Sequence, residues 1–183
     1  MDVRETSLPG VIVLEPDVFD DERGHFFESF NAAEFSRISG LDVAFVQDNQ
    51  SRSRRGVLRG IHYQLPPAAQ GKLVRVLAGA AFDVAVDLRR SSPTFGRWAS
   101  VELSADSRGQ LWIPPGFGHG FLTLSDSVEV LYKTTAYYAP GYDRAVRWDD
   151  PDIGIEWPED AAPPVLSGKD AAAPFLADAE VFA

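Results

Sequence analysis

The chain has no cysteine among its 183 residues, a single methionine and only three histidines. Without cysteine there are no disulfides, no thiolate metal ligands and no cysteine nucleophile. No apolar run approaches the ~20 residues that a membrane-spanning helix needs, so no insertion into a bilayer is expected. The opening residues Met1-Asp2-Val3-Arg4-Glu5 have neither the basic nor the apolar region of a signal peptide, and the expectation is a cytoplasmic protein. Positive charge is scarce as well. Lys and Arg number 17 against 27 Asp and Glu, a formal net charge of −10. Non-specific binding of nucleic acid needs a basic face, so no nucleic-acid partner is expected. A small phosphorylated ligand stays open, because a few converging Arg and Lys hold one inside an acidic protein.

What is present is an ordinary soluble composition, 45% hydrophobic and 24% charged. The length predicts one domain over residues 1–183, with a tail from 160 to 183, rich in Ala, Pro and Asp, partly packed on it. Strands dominate. Phe82–Leu88 alternates strictly, with Phe82, Val84, Val86 and Leu88 on one side and Asp83, Ala85 and Asp87 on the other, the period of a half-buried strand. Lys72–Val76 reads as a second strand, with Ala78-Gly79-Ala80 as the turn between the two. Further strands are read at 99–103, 110–113 and 128–133, punctuated by Gly and Pro. Short strands at this spacing predict an all-β sandwich or barrel. One helix is expected after Asn31 as cap, with Glu34 three residues on, Phe35 and Ile38 on one face, and Gly40 at its end.

The chemistry-bearing residues gather in Gly56-Val57-Leu58-Arg59-Gly60-Ile61-His62-Tyr63-Gln64 and the nearby Gln70-Gly71-Lys72. A neutral imidazole accepts a proton near neutral pH, its unperturbed pKa being about 6.5. Lys and Arg hold an enolate or a phosphate. On these residues alone His62 is either a proton acceptor or an ordinary half-buried strand histidine. A Pro/Gly turn, Pro114-Pro115-Gly116-Phe117-Gly118, delivers His119 to the start of another strand. That P-x-G-x-x-H spacing resembles the second motif of the cupins, which are double-sheet jelly rolls. Gln70 stands in roughly the place of the metal-ligating acid of the first cupin motif. Two histidines and a glutamine fall short of the three or four ligands of a catalytic metal site, so no metal is expected.

Five stretches together carry a closer resemblance: Phe45-Val46-Gln47-Asp48-Asn49, the Gly56–Gln64 run, Gln70-Gly71-Lys72-Leu73-Val74-Arg75-Val76, Ser91-Ser92-Pro93-Thr94-Phe95-Gly96 and Ile113-Pro114-Pro115-Gly116-Phe117-Gly118-His119-Gly120-Phe121. In order and spacing they resemble the dTDP-4-dehydrorhamnose 3,5-epimerase family, from Pro9-Gly10 to Lys169-Asp170. The resemblance implies an all-β, cupin-like double-sheet jelly roll with a few short helices. It implies a homodimer that needs no metal or organic cofactor and acts on a dTDP-4-keto-6-deoxyhexose. It also implies roles: His62 as base, Tyr132 as acid, Lys72 beside the developing charge on the C4 oxygen, and Asp170 as the carboxylate paired with His62. Arg23, Glu28, Gln47, Asn49, Arg59, His119 and Lys169 would contact substrate, and Tyr138 would stack on the thymine. Asp143 stands where the family commonly has Glu, one methylene shorter. The implied reaction inverts C3 and C5. Inversion at one centre only, or nucleotide-sugar binding without turnover, are the alternatives.

Overall fold

The computed structural model describes residues 1–159 and 163–183; the first residues of the expected tail, 160–162, lie outside them. In chain order the strands are β1 (Asp2–Glu5), β2 (Ile12–Glu15), β3 (Phe19–Asp21), β4 (Gly24–Phe26), β5 (Gln47–Arg54), β6 (Leu58–Gln64), β7 (Lys72–Ala78), β8 (Ala80–Asp87), β9 (Trp98–Ser104), β10 (Gln110–Ile113), β11 (Phe117–Thr123), β12 (Ser127–Thr134) and β13 (Asp143–Ala145). Helix α1 (Ala32–Ser39) lies between β4 and β5, and α2 (Gly168–Ala171) lies in the tail. Six strands form one antiparallel sheet in the order β1-β2-β10-β7-β12-β5, and five form a second in the order β13-β6-β11-β8-β9. This is the all-β architecture that the strand spacing predicts and the double-sheet jelly roll that the resemblance implies, with two short helices among the described residues.

Side-chain alternation sorts three layers. Between the sheets lie Val74, Val76, Ala81, Ala85, Phe117, Phe121, Val128 and Val130. The outer face of the five-stranded sheet carries Ile61, Tyr63, Val84, Val86 and Leu88, packed against Ile153, Leu176 and Ala179 of the C-terminal segment. The outer face of the six-stranded sheet carries Leu14, Leu73 and Trp112 under Phe35 of α1. Asn31 caps α1 by accepting from Ala33 N and Glu34 N, and Gly40 ends it at φ 70°. Glu34 spends its carboxylate on Arg37 at 2.6 Å.

Two expectations are corrected here. β8 is not half-buried: Val84, Val86, Asp83 and Asp87 are all 0% exposed. Its apolar face lies under the C-terminal segment, and its acid-bearing face points between the sheets, so both faces of the strand are covered. Nor is Ala78-Gly79-Ala80 a hairpin turn. β7 and β8 belong to different sheets, so Gly79 is the corner where the chain crosses from one to the other. Its φ is +77°, and a Cβ there would lie 2.1 Å from the Ser127 carbonyl oxygen, a position that only glycine fills.

The tail is a docked layer tied at several points. Val165 N donates to Gly56 O at 2.8 Å, and Leu58 N donates to Val165 O at 3.1 Å. Near the C-terminus, Phe182 N donates to Leu88 O at 3.1 Å, and Tyr63 Oη donates to Glu180 O at 2.6 Å. Each large apolar side chain buried by this docking contributes about 1.5–3 kcal/mol. The docking therefore holds α2 against β6.

Candidate active site

A cavity of about 310 Å³ opens between the two sheets. Its two walls come from different sheets. β5, β7 and β12 of the six-stranded sheet supply Gln47, Asn49, Lys72 and Tyr132. β6 and β11 of the five-stranded sheet supply Arg59, His62, His119 and Phe121. Tyr138, Asp143 and Lys169 complete the lining.

Arg59 and His62 are three residues apart on one strand, so strict alternation would send them to opposite faces. A β-bulge prevents this. Arg59 is opposite Phe121 and His62 is opposite His119, which leaves Gly60 and Ile61 facing Gly120 alone. The extra residue returns both side chains to the cavity while Ile61 enters the outer core. Gly60 sits at φ +126°, and a Cβ there would lie 2.4 Å from Gly120 Cα. The Gly-x-His spacing of the motif is thus a geometric demand of the site.

His62 Nε2 lies 2.5 Å from Asp170 Oδ1, across 108 residues of sequence. Asp170 is 2% exposed. Burial alone would raise its pKa, but hydrogen bonds from His62, Ser167 and the Gly60 N–H outweigh it and lower the pKa. Burial lowers the His62 pKa below 6.5; Asp170 opposes that shift, and Lys72 and Lys169 add to it. His62 is therefore neutral near pH 7. An ionised Asp170 offers only lone pairs, so the Nε2 proton sits between them and Nδ1 keeps the ring's lone pair.

Lys72 is buried, and its ammonium donates to the His62 carbonyl oxygen at 3.2 Å, reaching across from the opposite sheet. Burial pulls its pKa down to about 8, with Asp83 and Asp143 supporting the charge. The same ammonium lies 5.9 Å from the centre of the Tyr132 ring. Burial raises the Tyr132 pKa, so its hydroxyl holds its proton.

His119 Nε2 meets both oxygens of Asp83, at 3.0 and 3.1 Å, and both side chains are buried. Sequence reading placed Asp83 on the polar face of β8 and gave it no role. The usable signal is Ala85: a small residue between Asp83 and Asp87 leaves room on that face for a neighbouring strand's large side chain.

At the mouth, glutamines hold the segment that carries Tyr138. Gln47 Oε1 accepts from Tyr138 N at 2.9 Å, and Gln64 Oε1 accepts from Ala139 N at 2.8 Å. Gln70, in the place of a cupin acid, donates to Ala136 O at 2.8 Å. Asp143 Oδ2 accepts from Lys169 Nζ at 2.5 Å and from Tyr138 Oη at 3.2 Å, so the shorter acid still ties the tail to the mouth. Among the described residues, no three His, Cys, Asp or Glu side chains cluster as metal ligands. Likewise no described helix is long and apolar enough to cross a membrane.

Two expected residues stand elsewhere. Arg23 lies on the exposed β3–β4 hairpin, bound to Asp21, and Glu28 lies beside Met1, Asp17 and Phe19. Neither lines the cavity: the hairpin strands pair only with each other, as a sheet separate from the two that wall it, and Glu28 follows them in the chain.

A family model described as dTDP-4-dehydrorhamnose 3,5-epimerase matches residues 5–178. The chain belongs to the dTDP-4-dehydrorhamnose 3,5-epimerase family. Within it, the enzyme of that name from Salmonella typhimurium is 56% identical over 176 residues, 96% of each chain. The one from Shigella flexneri is 54% identical over 182 residues, covering 100% of this chain and 99% of its own. Among solved structures, a dTDP-6-deoxy-D-glucose-3,5-epimerase from Legionella pneumophila, in complex with dTDP-4-keto-L-rhamnose, superposes with a TM-score of 0.93. It is 47% identical, and the match covers 97% of this chain and 93% of that one. Family membership thus rests on nearly the whole chain.

Proposed function

We infer that this chain is an isomerase that epimerises dTDP-4-keto-6-deoxy-D-glucose at C3 and C5, giving dTDP-4-keto-L-rhamnose. One observation carries the reading: His62 and Tyr132 stand on facing sheets with a cavity between them. Inversion needs a proton removed from one face of the sugar and another returned to the opposite face. A base on one wall and an acid on the other meet that demand without any turn of the sugar.

The C4 ketone acidifies the protons on C3 and C5. His62 Nδ1 takes one, and Asp170 stabilises the imidazolium that forms. The electrons move to the C4 oxygen, where the Lys72 ammonium lies in a water-poor site and stabilises the enolate. Tyr132 Oη then delivers a proton from the far side. Solvent takes the proton from His62 and restores the one on Tyr132, and the cycle repeats at the second carbon. Each general acid or base step is worth roughly 10²–10⁴-fold.

The nucleotide falls to the mouth. Tyr138, 58% exposed, offers a flat ring to the thymine. Arg59 offers a guanidinium to the diphosphate. Gln47, Asn49, His119, Asp143 and Lys169 line the remaining path.

We further propose a homodimer. Phe19 and Phe26 are 66% and 70% exposed on the hairpin that carries Arg23, a surface that a second copy would cover. Arg23 and Glu28 would then serve the partner's cavity. We read the chain as one domain over residues 1–183 with its tail docked, working in the cytoplasm.

The test is proton NMR of dTDP-4-keto-6-deoxy-D-glucose with the purified protein in D₂O. Loss of both the C3 and C5 proton signals is expected. Exchange at one carbon alone would make it a single-centre epimerase, and binding without exchange would make it a carrier.

A further inference from the structure

Ser167 does not line the cavity, and its side chain is spent on one residue. Its hydroxyl accepts from Asp170 N at 3.1 Å and donates to Asp170 Oδ2 at 2.7 Å. Asp170 Oδ1 is the oxygen at His62. The Gly60 N–H, from the bulge, supports the same carboxylate. A carboxylate turns readily about its last bond unless both oxygens are held. Here both are, one by the imidazole and the other by the hydroxyl.

Capping alone does not require this arrangement. An N-cap needs only an acceptor, and Asn or Asp serves as well as Ser. Asp in this place would set a second carboxylate against Asp170. A hydroxyl accepts from the helix N–H and donates to the carboxylate through one atom. The donated bond matters because Asp170 is nearly dry, and a buried carboxylate with an unpaired oxygen is costly.

We propose that Ser167 is a positioning residue for the proton transfer: by holding Oδ2 of Asp170, its hydroxyl aims Oδ1 at His62 Nε2 and so keeps the imidazole in the tautomer that leaves Nδ1 as the base. The proposal rests on the reading of His62 and Asp170 given above. It makes the tail a working part of the site, with Ser167, Lys169 and Asp170 all on one turn of chain. The charged and titratable groups around His62 are Asp170 and Lys169 from the tail, Arg59 from β6, Lys72 from β7, His119 from β11, Tyr132 from β12, Tyr138 from the mouth segment and Asp143 from β13. Ser167 adds no charge to this set, so its removal acts through Asp170.

The experiment compares Ser167→Ala, Ser167→Gly and Ser167→Thr with His62→Ala and Asp170→Asn in the full-length enzyme. Turnover is measured from about pH 5 to pH 9, and folding is followed by thermal melting. Ser167→Ala is expected to lower kcat about tenfold, the worth of one hydrogen bond to a charged group, with KM within about twofold. The acid limb of kcat/KM should move to lower pH, because Asp170 raises the His62 pKa and a loosened carboxylate raises it less. Ser167→Thr should restore both. Ser167→Gly, a tolerated N-cap, removes the hydroxyl and should reproduce the alanine result even where alanine weakens the tail. An unmoved limb, or a loss that threonine does not restore, would reduce Ser167 to a helix cap and overturn the proposal. If Asp170→Asn and His62→Ala themselves turn over normally, the base assignment falls and takes the proposal with it. That result is distinct from a failure confined to the serine variants.

Discussion

His62 and His119 are register partners on neighbouring strands, and each meets a carboxylate, but the two pairs are built differently. Asp83 reaches His119 from the adjacent strand, 36 residues away in sequence, and both side chains are buried, His119 keeping only 7% of its side-chain surface exposed where it lines the cavity. Asp170 reaches His62 from the docked tail, and the imidazole keeps 31% of its side-chain surface exposed. One ring is braced from within the sheet. The other is supported from behind by an element that arrives last in the chain, which leaves its front to the cavity. The same side-chain chemistry thus yields a fixed hydrogen-bonding wall in one case and a working base in the other. What separates them is which atom still has room for a substrate.

The largest effect should come from His62→Ala, which removes the base. It is expected to lose at least about 10³-fold in kcat while binding of dTDP, followed by calorimetry, stays near normal. His119→Ala should lose far less and spread the loss into KM. A reversal of that order would mean that the sheet-bound pair is the catalytic one.

Next come the carboxylates. Asp170→Asn should cost roughly 10²-fold in kcat, because an amide no longer holds the imidazolium. Asp83→Asn should act more on stability, costing about 1–3 kcal/mol in urea unfolding, because a buried network loses its charged partner. Equal stability losses for the two would erase the distinction between brace and support.

Tyr132→Phe sharpens the contrast between the two walls. Inversion should fall by roughly 10²-fold, while deuterium still enters C3 or C5 through His62. Loss of that exchange as well would give Tyr132 a part in proton removal.

The smallest effect is a pH signature. kcat/KM should be bell-shaped. Its acid limb lies below pH 6.5, where His62 becomes protonated, and its alkaline limb lies near pH 8, where buried Lys72 loses its charge. In Asp170→Asn the acid limb should move further down, since Asp170 raises the His62 pKa. An alkaline limb that persists in Lys72→Ala would belong to another group.

Much of this was legible in the residues. The strand at 82–88, the helix capped by Asn31 and ended by Gly40, and the paired motifs around His62 and His119 all stand where local pattern places them. Polar β5 escaped notice because its outward residues face solvent at a sheet edge and no apolar stripe marks it. Alternation in β8 correctly separated its two faces, but it did not tell which faced the cavity. That depended on the tail, which covers the apolar side and leaves Asp83 to the interior. Arg23 and Glu28 carried a role by resemblance, and neither lines the cavity of this chain.

By itself the sequence determined the strongly patterned strands, the ends of helix α1 and the set of residue types available for proton transfer, because these depend on neighbours along the chain. The tertiary structure alone decided that Arg59 and His62 share a face, that Asp170 stands behind His62, and that Tyr132 and Lys72 look across at them. Those relations are set by a bulge against Gly120, by the docking of the tail and by the pairing of two sheets. Each joins residues far apart in sequence, where no local period carries information.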